Sequence, residues 1–145
     1  MHRTPSPADP DWPLQVAAPG TPEWEHTASR WLRGLVPARY ATYPTLTRHP
    51  VVLARHARLQ LQHEIRVVRA GLQSCRAELP PLGVSHRIVE SAILMYAAEL
   101  DQLDRLARGV RLVTAALVAD ARAREQRSTA PEQGTSGRRR GRAAV

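Results

Sequence analysis

The sequence predicts an all-α protein built on a long antiparallel, coiled-coil-like helical hairpin. Three observations predict it. Ser85 to Glu125 contain no proline, and their apolar residues recur in a seven-residue rhythm. Pro50 to Leu79 form a second stretch of the same kind. Pro80-Pro81-Leu82-Gly83 separate the two, and so short a link makes the helices antiparallel neighbours.

Residues 1–20 hold Pro5, Pro7, Pro10, Pro13 and Pro19. Such a segment cannot propagate a helix, so it reads as disordered. Trp12 and Leu14 are its exceptions, able to dock on a groove of the fold or of a partner. A short helix over residues 22–35 follows. Thr21 suits its N-cap, Pro22 its first position, and Glu23 and Glu25 the positive end of its dipole. Trp24, Ala28, Trp31, Leu32 and Leu35 share one face, which must pack on the hairpin. Pro37 ends it. Residues 36–49 form a connector with short helical turns at Pro37–Tyr40 and from Thr45, and His49-Pro50 either starts or kinks the next helix.

In that helix Val51, Arg58, Ile65, Leu72 and Leu79 make one row of a seam, and Ala54, Leu61, Val68 and Cys75 the other. Leu53 and Val67 widen the stripe, and Arg55, Gln62, Arg69 and Arg76 form a row in water. Arg58 is the one polar break. Its stem packs while its guanidinium snorkels out, or it is a specificity device paired with Asp104 or Asp120. Gly71 costs about 1 kcal/mol against Ala unless a neighbour packs closely there.

The last helix, residues 85–125 with Ser85 as its cap, carries Val89, Tyr96, Leu103, Val110 and Leu117 in one row. Ile93, Leu100, Ala107, Thr114 and Ala121 fill the other. Leu94, Met95, Leu106, Leu112, Val113 and Val118 lie off that seam. They exceed what one partner helix covers, which points to self-association or a protein partner.

The chain of 145 residues carries 21 Arg and no Lys, Asn or Phe, the bias of a GC-rich, actinobacterial genome. Of its net charge of +8, residues 126–145 contribute +4 and residues 85–125 none. This is a basic tail on a mildly basic body. The tail has the composition of a disordered segment. Its Arg138, Arg139, Arg140 and Arg142 suit non-specific contact with a nucleic-acid phosphate backbone, though no base-reading motif accompanies them.

One cysteine excludes a disulfide framework and fits a cytoplasmic setting. No apolar run reaches the length of a membrane span. His49, His56 and His63 recur every seven residues, about 10.5 Å apart along a helix, too far to share a metal, so they read as a solvated row. Asp101 with Arg105, and Asp104 with Arg108, have helix-stabilising spacing. Glu64 and Glu78 flank the seam, placed to pair with arginines across it. Cys75 reads as a small core residue. There is no Gly-rich phosphate loop, nucleophile elbow or di-iron Glu-x-x-His pattern. The expectation is a non-enzymatic interaction or scaffold protein without cofactor, metal or membrane. Nothing in the sequence demands a small-molecule ligand, for which the space between the Trp-bearing helix and the hairpin is the candidate pocket.

Tyr40, Tyr43-Pro44 and Arg48-His49-Pro50-Val51-Val52-Leu53-Ala54 precede the hairpin, with Pro80-Pro81 at its turn and Tyr96 central in its second arm. These features resemble a group of short uncharacterised streptomycete proteins over roughly residues 31–120. The resemblance implies a long helical hairpin after an Arg-His-Pro segment, and no activity. The exported helical hairpins of actinobacterial type VII secretion share the outline only. Their Trp-x-Gly turn is replaced by Pro81-Leu82-Gly83, and Tyr96 is followed four residues on by Leu100 rather than an acid.

Overall fold

A computed structural model describes residues 6–129. Those residues form helices and no strands: α1 Trp24–Arg33, α2 Pro44–Arg48, α3 Pro50–Glu78 and α4 His86–Thr129. Short 3-10 turns lie at Ala38–Thr42 and Pro80–Leu82. At about 1.5 Å per residue, α4 is about 66 Å long and α3 about 44 Å. The shorter helices pack on α3 and α4.

The chain's punctuation falls where the chemistry requires. His49 is extended (φ −124°, ψ 91°), and Pro50 opens α3 rather than kinking a longer helix. Pro80 and Pro81 end α3, and Gly83 turns the chain in the left-handed region at φ 80°. Two boundaries differ from the sequence reading. Thr21 does not cap α1; its hydroxyl donates to the Ala18 carbonyl at 2.7 Å, and a turn closed by Trp24 N–H on Thr21 O precedes the helix. At the other end α4 continues past Glu125 to Thr129, because nothing before that point breaks a helix.

The core sits at one end of the molecule. Ala28 and Leu32 of α1 meet Leu53, Ala54, Ala57 and Leu61 of α3, and Leu103, Val110, Val113 and Leu117 of α4. All are nearly or fully buried. The seam predicted for α3 is therefore rotated here. Leu53 and Ala57 turn inward towards α1, while Arg58 lies exposed. That exposure agrees with the snorkelling reading. Nor is Asp120 free for Arg58, since it accepts from the Trp24 indole at 2.6 Å.

The Pro-rich start is the largest correction. Over residues 11–17 it is folded onto α1 and α4, not free. Trp12 and Val16 are core residues, and the Trp12 indole N–H donates to the Val16 carbonyl at 2.9 Å. The Trp12 and Trp24 rings lie 5.7 Å apart. Asp11 accepts from Arg108 at 3.0 Å, and the Ala17 N–H donates to Thr27 Oγ1 at 3.0 Å. Proline prevents helix but not packing. The segment needs few backbone partners, because prolines carry no donor. Leu14, the other candidate for docking, is fully exposed.

Towards the turn the packing thins to Cys75 and Val89, both 3% exposed, and to Tyr96 lying against Gly71. A Cβ at Gly71 would sit 2.7 Å from Tyr96 Cζ, so the glycine is there to admit the ring. Gly71→Ala is expected to destabilise by about 1–3 kcal/mol through overpacking. In a Tyr96→Leu background the same change should turn neutral or stabilising, by up to about 1 kcal/mol of helix propensity. Urea denaturation of the four proteins checks the change of sign.

Candidate functional site

The off-seam residues of α4 divide along its length, and the division locates the free surface. Val113 is fully buried in the chain's own core, so its reading as an interaction residue is wrong. Leu106 and Leu112 pack partly buried against that core, and Val118 is half-buried. The cover is α1 together with the N-terminal segment. Pro13, Trp31 and the Asp11 carbonyl crowd Gly109, where an added Cβ would lie 3.1–3.4 Å from them. Trp24 and Glu25 reach Asp120 and Arg124 at 2.6 and 2.8 Å. The apolar surplus of the C-terminal half is thus consumed within the chain.

Only Leu94 and Met95 of the six remain exposed, at 72% and 56%. They lie in the half of α4 nearer the turn. Ile88, 55% exposed and seven residues before Met95, shares a face with it and was missed in the sequence. Its spacing from Met95 was the available signal. Its place beside the seam residue Val89 obscured it.

The polar residues form few pairs. Arg76 meets Glu90 across α3 and α4 at 3.3 Å. Neither expected pair within α4 forms: Arg105 donates to Gln102 at 3.0 Å, and Arg108 turns to Asp11. Glu64 accepts from Gln60 rather than from an arginine across the seam. Exposed pairs of this kind are worth little, about 0–1 kcal/mol each. They set orientation more than stability.

The histidine row is only partly solvated. His49 and His63 are exposed, but His56 is half-buried beneath Tyr40, with ring centroids 4.3 Å apart. Its Nε2 is buried without a hydrogen-bond partner among the described residues. Tyr40 in turn carries the Arg39 guanidinium 4.9 Å from its ring centroid. This stack fastens the connector to α3. Among the described residues no three His, Cys, Asp or Glu side chains are grouped to hold a metal ion. No described helix is long and apolar enough to cross a membrane. Arg138, Arg139, Arg140 and Arg142 lie outside the described residues.

The centre of the α1 contact is closed, with Ala28, Leu32, Leu53 and Ala57 0–2% exposed, and hollows lie at its margins. One open hollow of about 330 Å³ lies between Glu25, Arg48, Val52, Leu117 and Arg124. Another, of about 350 Å³, lies beside Trp31 and Arg30. The first sets Glu25, Arg48, His49 and Arg124 beside Val51, Val52 and Leu117, and its Glu25 is already paired with Arg124 at 2.8 Å. No family model matches this chain, and no curated protein or solved structure matches it either.

Proposed function

We propose that this protein is a non-enzymatic interaction or scaffold protein that self-associates through α4. In this reading α3 and α4 are the arms of an antiparallel, coiled-coil-like hairpin. The Arg76–Glu90 pair and the Gly71–Tyr96 contact both support that register. α1 and the N-terminal segment close one end of the hairpin, and the turn end serves as the docking arm.

One observation carries the reading. Leu94 and Met95 stand adjacent and exposed on α4, whereas the apolar residues farther along the same helix are covered by the chain itself. Adjacent exposed large apolar side chains mark an interaction surface better than scattered ones do. Light scattering over a concentration series tests it, with self-association expected in the micromolar range. Leu94→Asp with Met95→Glu should leave a monomer with unchanged helicity, since neither side chain supports the core. A truncated hot spot costs about 2 kcal/mol, and a two-fold contact suffers the loss twice. A wild-type chain that stays strictly monomeric would overturn the proposal.

A further inference from the structure

The exposed side of α4 carries a second row that the apolar count alone does not reveal. Arg87, Ser91, Leu94, Ala98, Asp101 and Arg105 follow one another at alternating steps of 4 and 3, the spacing of a helix–helix seam. All six are exposed, on the face turned away from α3. The centre of the row is apolar or small, with Arg87 on one side of it and Asp101, then Arg105, on the other. The hydroxyl of Ser91 is already engaged, donating to the Arg87 carbonyl at 3.0 Å, so it brings no free donor into a contact. Ser91 and Ala98 would let two helix axes approach closely.

We infer that the α4 outer row docks on the same row of a second copy, antiparallel, with the two-fold axis passing beside Leu94. This inference rests on the self-association reading above and gives it a geometry. In an antiparallel pairing centred on Leu94, a residue seven before the centre faces one seven after it. Arg87 of each copy then faces Asp101 of the other, twice over. Leu94 meets its own image at the centre, with Met95 beside it. A parallel pairing would instead set Arg87 on Arg87 and Asp101 on Asp101, which like-charge repulsion forbids. Among the described residues neither Arg87 nor Asp101 has an ion-pair partner within the chain. Glu90, at the edge of the row, is held by Arg76, and Arg105 is held by Gln102. Arg87 and Asp101, seven positions either side of Leu94, are the opposite charges that the two-fold brings together.

Charge reversal tests the geometry by sedimentation equilibrium on the full chain. Arg87→Asp and Asp101→Arg, each alone, should weaken the dimer by about tenfold or more, because each creates two like-charge contacts. The double variant Arg87→Asp/Asp101→Arg should restore the wild-type constant to within about threefold. Circular dichroism confirms that these surface changes leave the helices intact. Single reversals without effect, or a double variant no better than its parents, overturn the antiparallel pairing and assign the contact to another face. In that case the wild-type dimer persists and the self-association reading stands. A monomeric wild type overturns both.

Discussion

Trp24→Ala is expected to lower stability by about 3–5 kcal/mol, a large part of what a domain of this size possesses. Three losses combine. The indole is 3% exposed and fills the space between α1 and the end of α4. Its ring packs on Trp12 at 5.7 Å. Its N–H donates to Asp120 Oδ2 at 2.6 Å, a charge-assisted hydrogen bond that ties residues 96 positions apart. Trp24→Phe separates these terms. It keeps most of the ring and loses the donor, and should cost about 1–2 kcal/mol, because Asp120 is only part-buried and can turn to water. Guanidinium denaturation followed by circular dichroism measures both variants. Equal losses in the two would mean that the hydrogen bond, not the packing, holds α1.

The second large effect lies where the sequence predicts none. Trp12→Ala should cost about 3 kcal/mol, although it falls in a segment with five prolines in its first twenty positions. Removing the ring uncovers Trp24 and leaves Val16 without its indole donor. The Asp11–Arg108 bond then has no anchor beside it. Amide exchange should rise at Val16 and Ala17, whose N–H groups donate to Pro13 O and Thr27 Oγ1. A melting temperature that does not move would show that residues 11–17 contribute nothing to folding. Because Trp12 and Trp24 touch, the double variant should fall short of the summed losses by about 0.5–1.5 kcal/mol.

The long helices were legible because proline spacing and heptad rhythm are local signals. Pro50, Pro80 and Pro81 fix boundaries through the backbone, and no distant contact can move them. The N-terminal segment was not legible for the same reason turned round. Its order comes from tertiary contacts, with Trp24 and Thr27 of α1 and with Arg108 and Gly109 of α4, and its own composition resembles a solvated linker. Gly109 was the readable hint. A glycine within α4, four residues before Val113, marks a close approach, and Pro13 and Trp31 supply it. The surplus of α4 was read correctly as apolar surface needing cover. Its cover was misassigned at Val113, Leu106 and Leu112, because the N-terminal segment was read as disordered and the docking allowed to Trp12 was not carried to α4.

The placement of the core at one end has a consequence for how the molecule breathes. Fourteen buried residues cluster around α1 and the flanking halves of α3 and α4, whereas the tip holds little beyond Cys75 and Val89. Opening free energy follows buried contacts, so the tip unzips in small excursions that leave the closed end intact. The proposed contact lies on the tip's side of α4. Each association event would therefore rigidify the least stable part of the chain and draw part of its free energy from ending those excursions. In the proposed association the firm end is the anchor and the loose end an adjustable grip.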